Sequence, residues 1–368
     1  MSSTVQESPT APGGVGFISP EDARFAAVLA VGLIVSALTY RTPHIALWVG
    51  FVFAGYSAVA NDSIQTLGTF LASNSKQKWW VLWLWIGGIF LATVTYSFVF
   101  YDGDVSYGRL AAKGFETAPD SFVYMQVAAP LVLLILTRFR MPVSTTFLLL
   151  SIFSTSASGV GKVLTKSLSG YVLAFVVAIV AWTALSPVIK RFEGTTAHPA
   201  WRIGQWVSTG LLWSVWLQQD AANVAVYLPR QMTVTEFAGF AGLLTAALGV
   251  LIYLRGGRIQ SIVTEKADVY DVRSATLIDF VYAIILFVFK MWSQVPMSTT
   301  WMFIGLLAGR EVAMLFTRTS KDQRWSKVGG VIGRDILFAA IGLVVSMVLA
   351  FGINAAFRRQ VLDLVGAG

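Results

Sequence analysis

The stretch Ala60-Asn61-Asp62-Ser63-Ile64-Gln65 decides how this chain is interpreted, because it places a carboxylate inside a long apolar run. A second stretch, Gln219-Asp220-Ala221-Ala222-Asn223, repeats the carboxylate with amides on both sides. A Pro-x-Ser-Thr-Thr sequence follows each stretch, at 142–146 and at 296–300. The two aspartates are 158 positions apart and the two triplets 154 apart. Two motifs recurring in one order at nearly one offset indicate an internal duplication, with repeats over 45–192 and 200–357.

The composition indicates that lipid surrounds most of the chain. Hydrophobic residues make up 56% of the sequence and charged residues only 12%, against roughly 25% charged in a soluble domain. A membrane span needs about 20 apolar residues. Apolar runs occur in the first half at 25–40, 45–71, 79–101, 122–136, 143–160 and 171–189, and in the second at 203–217, 237–254, 277–292, 302–316 and 336–357. We therefore predict an all-α, polytopic integral membrane protein with roughly 10–12 membrane segments.

Several of these runs are short, or are interrupted by proline and polar residues at corresponding places in the two halves. Such interruptions are typical of inverted-repeat secondary transporters, whose discontinuous or re-entrant helices form the binding site. We predict a disordered tail over 1–20, a first transmembrane half over 21–192 and a linker over 193–202. A second half over 203–357 and a C-terminal tail over 358–368 complete the chain. The protein is expected in the plasma membrane as a multi-pass protein, and a homodimer is possible.

The two aspartates are the first candidate site residues, because a carboxylate within a span is costly unless it is paired or hydrated. Carboxylate and amide oxygens suit a hard cation such as Na⁺, and a protonatable carboxyl would instead use H⁺. The predicted cation-binding residues are Asn61, Asp62, Gln65, Gln219, Asp220 and Asn223, with Asp62 and Asp220 as the Na⁺ ligands. The alternative is that each aspartate only caps a half-helix.

The repeated triplets are the second candidate. Proline suits the first turn of a helix, and serine and threonine hydroxyls bond to the free N–H groups there. A helix start inside a membrane forms an anion site, and two facing starts could hold one oxyanion. The predicted anion-binding residues are Ser144, Thr145, Thr146, Ser298, Thr299 and Thr300, with Gln126 and Asp279 completing the site. Ordinary helix caps are the alternative for the triplets, and polar groups satisfied by backbone for Gln126 and Asp279.

Other classes of site are disfavoured. The chain has no cysteine and only two histidines, His44 and His198. These numbers exclude cysteine-based metal sites and weigh against a histidine-ligated one. The net charge of +8 comes from short basic clusters between apolar runs, which is typical of loops beside anionic lipid rather than of a nucleic-acid interface. The basic stretch 318–334 is expected in the cytoplasm and the acidic loop 102–120 outside, although Arg358 and Arg359 would then lie outside against the rule.

These motifs resemble the inorganic phosphate transporter (PiT) family, whose signature is duplicated. Residues 60–69 and 219–223 resemble its Asn-Asp motifs, and residues 142–146 and 296–300 its Pro-Val-Ser-Thr-Thr motifs. Residues 255–258 are similar to its Gly-Gly stretch. The likeness covers about 45–312, and the chain departs from the family at Gln65, at Gln219, at the missing glycines (Val59 and Gln218) and at Phe147 and Trp301.

The resemblance implies an inverted-repeat fold with re-entrant hairpins and symport of inorganic phosphate with Na⁺ or H⁺, without another cofactor. It also implies a site built from both Asp-Asn motifs and both Ser-Thr-Thr helix starts, and no enzymatic reaction. Sulfate or another tetrahedral oxyanion is the alternative cargo. Two further alternatives are a membrane enzyme that binds diphosphate through Mg²⁺, which would need more carboxylates than Asp62 and Asp220 supply, and a relative that no longer transports.

Overall fold

A computed structural model describes residues 20–112, 115–139, 141, 143–153, 157–192, 195–256, 271–292, 298–318 and 325–366. These residues form α-helices and contain no β-strand. The predicted tail over 1–20 lies outside the described residues except for Pro20, as do Pro142 and Pro296.

The helices are α1 Pro20–Thr39, α2 Pro43–Asn61, α3 Ser63–Ser73, α4 Trp79–Phe100, α5 Arg109–Ala112, α6 Tyr124–Arg138, α7 Thr145–Phe153, α8 Ala157–Lys190, α9 Ala200–Ala225, α10 Val234–Tyr253, α11 Val272–Trp292, α12 Thr299–Thr317, α13 Trp325–Ile353 and α14 Ala355–Val365.

The helices confirm an all-α, multi-pass membrane protein. Among the described residues, seven helices or parts of helices are long and apolar enough to span a bilayer. They are α1, α2, α4, α10 and α12 with residues 167–190 of α8 and 328–353 of α13. Only 11% of the most apolar window of α1 is buried by protein, against 78% for α12. Helix α12 is therefore enclosed by other helices, whereas α1 presents its side chains outward.

Several helix boundaries differ from the predicted runs. The run 45–71 is broken at Asp62, where α2 ends and α3 begins. The run 171–189 is part of the longer α8, which begins at Ala157. Helix α9 continues eight residues beyond the run 203–217 and carries Asp220 within an unbroken helix. Residues 355–365, most of them assigned to a C-terminal tail, form the helix α14, whose Phe357 packs beside Phe147 and Ala350.

Helices α4 and α10 pack antiparallel and define the two ends of the molecule. Arg255, just after α10, donates to the carbonyl of Gln77 before α4 (2.7 Å). At the opposite end, Met232 N–H donates to the carbonyl of Gly103 (3.1 Å), which joins the start of α10 to the end of α4. We call these the 74–78 end and the 101–123 end, after the segments that connect α3 to α4 and α4 to α6.

Helices α6 and α7 form a short hairpin at the 101–123 end. The side chain of Gln126, at the start of α6, donates to the carbonyl of Ile152 near the end of α7 (3.5 Å), and Tyr227 OH donates to the carbonyl of Gln126 (2.8 Å). Helix α6 has 15 residues and α7 has nine, so they extend only about 22 and 14 Å. Neither helix reaches across a hydrocarbon layer of about 30 Å.

Helix α11 begins and α12 ends at the 74–78 end, which also holds the start of α9, because Asn74 Nδ2 donates to Gln205 Oε1 (2.8 Å). Arg273, at the start of α11, bonds to Thr195 Oγ1 (2.8 Å) and to the carbonyl of Phe192 (3.0 Å). Lys190 Nζ donates to the carbonyl of Thr317 at the end of α12 (2.8 Å). Between these points Tyr282 OH donates to the carbonyl of Thr299, where α12 begins (2.9 Å). The start of α12 therefore lies deep in the molecule.

Candidate functional site

Both triplets start a helix inside the protein. Ser144 precedes α7 and its Oγ accepts from Phe147 N–H (3.1 Å). Ser298 precedes α12 and its Oγ accepts from Trp301 N–H (3.2 Å). These are N-caps, in which the hydroxyl pairs one of the free donors of the first turn. All six residues of the triplets are buried.

The first aspartate lies at the break between α2 and α3 and is 1% exposed. One oxygen of Asp62 accepts from Asn61 Nδ2 (2.6 Å) and from Gln65 Nε2 (3.3 Å). Asn61 also donates to the carbonyl of Val143 (2.9 Å), immediately before the first triplet. The Thr145 hydroxyl lies beside the Asp62 carboxyl. The first motif and the first triplet are therefore in contact.

The second aspartate lies within α9 and is 4% exposed. Asp220 Oδ1 accepts from Asn223 Nδ2 (2.8 Å), and Oδ2 accepts from the hydroxyl of Thr299 (3.0 Å). The arrangement parallels that of Asp62, with an amide three residues later and the middle residue of a triplet beside the carboxyl. The two carboxyls are close enough to interact electrostatically.

Two hydrogen bonds made by side-chain amides link the halves across this cluster. Gln65 Nε2 donates to Thr300 Oγ1 (3.1 Å), and Asn223 Nδ2 donates to Thr146 Oγ1 (2.8 Å). Gln65 and Asn223 occupy the same place in the two motifs, as do Thr146 and Thr300 in the two triplets. Each amide therefore reaches its own aspartate and the last threonine of the triplet from the other half.

Four polar atoms of this cluster are buried without a hydrogen-bond partner. They are Gln65 Oε1, Asn223 Oδ1, Thr145 Oγ1 and Gln219 Nε2. Buried polar groups are nearly always paired, and leaving one unpaired costs about 1–3 kcal/mol. The two amide oxygens are therefore available to a cation and the amide N–H₂ group is available to an anion, while the hydroxyl lies beside the Asp62 carboxyl.

Two predicted site residues lie apart from the cluster. Gln126 is held at the 101–123 end, where its Oε1 accepts from Val123 N–H (2.9 Å). Its other partner, Ile152, lies about 10 Å along α7 from Thr145. Asp279 is buried, but its carboxyl bonds to Thr69 and Thr209. These threonines lie about 10 Å from Asp62 along α3 and about 16 Å from Asp220 along α9.

The cluster also depends on residues that the motifs did not indicate. The carbonyl of Val143 accepts from both Asn61 and Thr300 (2.9 and 3.3 Å). Tyr282, on α11, fixes the carbonyl of Thr299. The hydroxyl of Thr137 lies 3.4 Å from Asn61 Oδ1. A backbone carbonyl carries no sequence signal, but Tyr282 is a polar side chain on an apolar helix, three residues after Asp279.

Two spaces in the protein lie against the cluster. A small cavity of about 30 Å³ is lined by Ser63, Trp213, Trp216 and Asp220 among apolar residues, which is room for one or two waters. A larger space of about 350 Å³ lies between α1, α2, α6 and α10 and reaches Ala60 and Thr137. It is lined near the 74–78 end by Leu254 and Gly256. The described residues contain no group of three or more histidine or acidic side chains suited to a metal.

Comparisons with protein-family models, with curated proteins and with solved structures gave no match.

Proposed function

We propose that this protein is a secondary transporter that carries inorganic phosphate across the membrane together with a cation, Na⁺ or H⁺. The observation that carries the proposal is the convergence of both Asp-amide motifs and both Ser-Thr-Thr helix starts on one buried cluster, with four polar atoms left unpaired. The predicted resemblance to phosphate transporters assigns the same twelve residues to one site.

The carboxylates would bind the coupling cations. Two carboxylates buried close together repel each other and lose their hydration, so the pair requires positive charge for stability. The unpaired oxygens Gln65 Oε1 and Asn223 Oδ1 are of the type that Na⁺ prefers. Protonation of one carboxyl would remove the repulsion within the pair and leave a single negative charge, so H⁺ is the alternative coupling ion.

The helix starts would bind the anion. The N-terminus of a helix carries partial positive charge and free N–H donors, and both α7 and α12 begin at the cluster. Ser144, Ser298 and the threonine hydroxyls would replace water around a tetrahedral oxyanion. The amide N–H₂ group of Gln219 is an additional donor for such an anion.

An inverted repeat would supply the conformational change. Helices α4 and α10 occupy equivalent places in the two repeats and run antiparallel, and the hairpins α6–α7 and α11–α12 are anchored at opposite ends. Equivalent packing also recurs, because α7 contacts α13 while α12 contacts α8. These features favour alternating access, in which each hairpin in turn opens the cluster to its own side.

The test is uptake of radiolabelled phosphate by proteoliposomes containing the purified protein. Wild type should accumulate phosphate when a Na⁺ or H⁺ gradient is applied. Asp62→Asn and Asp220→Asn should each abolish gradient-driven uptake, because each removes a charge that holds the cation. Excess sulfate as competitor identifies the cargo, since inhibition stronger than that by unlabelled phosphate would assign the site to sulfate.

Asp335→Asn is the matched control, because Asp335 is also buried but lies on α13 outside the cluster. It should transport at the wild-type rate. Wild-type uptake by both cluster variants, or no uptake of either anion by the wild type, would contradict the proposed function.

A further inference from the structure

Asp279 is a buried carboxyl that the proposed transport site does not use. It lies on α11, is 1% exposed, and bonds to a hydroxyl on each of two other helices. Thr69 of α3 donates to Oδ1 (2.7 Å), and Thr209 of α9 donates to Oδ2. Thr69 and Thr209 are themselves buried. A carboxylate at such a place is costly unless a cation or a proton neutralises it.

The described charged and titratable side chains on α11 and on the helices that pack against it are engaged elsewhere, exposed or half-buried. On α11 itself, Arg273 pairs with Asp271 and Tyr282 bonds to Thr299. Helix α3 has no titratable residue. On α9, Arg202 is exposed and Asp220 belongs to the cluster. On the described part of α8, Lys190 bonds to Thr317 and Tyr171 is half-buried. Within the described side chains, only the two threonines hydrogen-bond to the Asp279 carboxyl.

A row of buried polar side chains connects Asp279 to the 74–78 end. One helical turn before Thr209 is Gln205, which is fully buried and bonds to Ser73. Gln205 Oε1 accepts from Asn74 Nδ2 (2.8 Å), and Asn74 borders the exposed Ser75 and Lys76. In the other direction, Thr69 lies one turn from Gln65 of the cluster. A turn separates side chains by about 5–6 Å, a gap that one bridging water spans.

We propose that Asp279 is a proton-binding site, separate from the central cluster, that exchanges its proton with the 74–78 end by way of water hydrogen-bonded to Thr209, Gln205 and Asn74. When a proton joins one carboxylate oxygen, that oxygen becomes a donor, and the threonine facing it must accept. A threonine in a helix can turn its hydroxyl to the carbonyl four residues earlier, which is Gln65 for Thr69 and Gln205 for Thr209. Both protonation states of the carboxyl are thereby hydrogen-bonded without moving a helix.

The site exists in only one half of the molecule. The equivalent position in the first half is that of Gln126, whose side chain cannot titrate and bonds to backbone near the 101–123 end. The polar side chains from Thr209 to Asn74 connect Asp279 to the 74–78 end, and a co-transported proton would leave in the other direction, past Thr69 and Gln65, when the cluster opens to the opposite side. If the proposed transport function holds, on which this step rests, protonation of Asp279 couples phosphate movement to H⁺ while Asp62 and Asp220 remain at the centre.

Infrared difference spectroscopy of the reconstituted protein between acid and alkaline pH tests the proton site directly. Wild type should show a C=O band of a protonated buried carboxyl, sensitive to deuterium exchange. Asp279→Asn should lose that band, and Asp335→Asn should retain it. Thr209→Val and Thr69→Val, which keep the side-chain shape, should shift its frequency and provide the test if Asp279→Asn does not fold. A wild type without the band, an unchanged band in Asp279→Asn, or no shift in either threonine variant would overturn the proposal.

A pH-sensitive dye inside the vesicles tests coupling. Wild type should acidify the lumen as phosphate enters. Asp279→Asn should still exchange labelled for unlabelled phosphate but without acidification. Wild-type acidification in that variant would refute the coupling role. Failure of the wild type to move phosphate would instead count against the transport function, while the infrared result would still decide whether Asp279 binds a proton.

Discussion

At the scale of single residues, the lengths of the amides explain the order in which they occur. The first motif has Asn before its aspartate and Gln three residues later, and the second has Gln before and Asn later. The longer Gln65 extends from the short helix α3 to Thr300, whereas the shorter Asn223 suffices within the unbroken α9 to reach Thr146. The exchange of Asn and Gln therefore accompanies the different backbones of the two halves and preserves the bridge between them.

Ser298→Ala should weaken anion binding as well as helix capping. Removal of an N-cap hydroxyl costs about 1 kcal/mol of stability, and removal of a donor to a charged ligand costs about 1.5–3 kcal/mol. We expect phosphate affinity to fall by about ten- to a hundredfold, since 1.4 kcal/mol corresponds to a factor of ten. Calorimetric titration of phosphate in detergent, with cation present, measures the change.

Thr233→Ala is the matched control for this cap. Thr233 caps the exposed start of α10, where its hydroxyl accepts from Glu236 N–H (3.3 Å). It should lower stability to a similar degree and leave phosphate affinity unchanged. Equal affinities for both variants would mean that Ser298 acts only as a helix cap.

At the scale of helices, the motifs predicted the places where the backbone is interrupted. The Ser-Thr-Thr triplets indicated the starts of α7 and α12, and the polar residues within the run 45–71 indicated an interruption there, although not that the run is divided at Asp62 into α2 and α3. The sequence did not show that the helix breaks at Asp62 but continues through Asp220. Ala221 and Ala222 favour helix, but this preference is weak, and packing decides whether the helical turn at each aspartate persists. For the motifs to converge, the two helix starts at the triplets have to face each other inside the protein. The repeat of the motifs in the two halves suggested this arrangement.

Gln126 and Asp279 could not be placed by sequence spacing. Each precedes its triplet by a similar number of residues, but distance along the chain does not fix depth in the membrane when a helix can slide or tilt. Gln126 begins α6 near one end of the molecule, whereas Asp279 lies eight residues into α11. The threonines that bond to Asp279 come from two distant segments of sequence, so that their convergence depended on the fold.

A pair of glycines on α12 fixes its contact with α8. Gly305 and Gly309 form a small-xxx-small pattern, which lets membrane helices approach closely. A Cβ atom on Gly309 would lie 2.2 Å from the carbonyl oxygen of Phe175 and 2.9 Å from Ala178 Cβ. Backbone atoms cannot turn aside as a flexible side chain can, so the two helices would have to separate.

Gly309→Ala should therefore destabilise the protein by about 1–3 kcal/mol or more, the usual cost of overpacking. It should also lower uptake, because α12 carries Thr299 and Thr300 into the cluster. Gly88→Ala is the control, since a Cβ atom on Gly88 in α4 meets nothing within 4 Å and alanine favours helix. Thermal unfolding in detergent compares the two variants. Equal melting temperatures would show that the α8–α12 contact adapts to the extra methyl group.

At the scale of the whole molecule, basic side chains gather at the 74–78 end. This end carries Lys76, Lys78, Lys190, Arg191, Arg255 and Arg273. The 101–123 end carries Asp102, Asp104, Glu116 and Asp120, and its basic side chains include Arg41, Arg109 and Arg230, the last bound to backbone carbonyls. The positive-inside rule then predicts that the 74–78 end faces the cytoplasm. Arg358 and Arg359 belong to α14 near the 101–123 end, where Asn354 bonds to Ser151. They are fewer than the basic side chains at the 74–78 end.

The absence of cysteine from the sequence allows this orientation to be tested with single-cysteine variants and a membrane-impermeant maleimide. Ser75, Ser121 and Thr196 are exposed, and substitution of each by cysteine should leave packing intact. Because α4 lies between residues 75 and 121 as one span, Ser121→Cys should react in intact cells, whereas Ser75→Cys and Thr196→Cys should react only after permeabilisation. Labelling of Ser75→Cys and Ser121→Cys from the same side would rule out α4 as a span. The reversed pattern would instead place the 74–78 end, with Asn74 and the polar side chains that lead to Asp279, on the outer face.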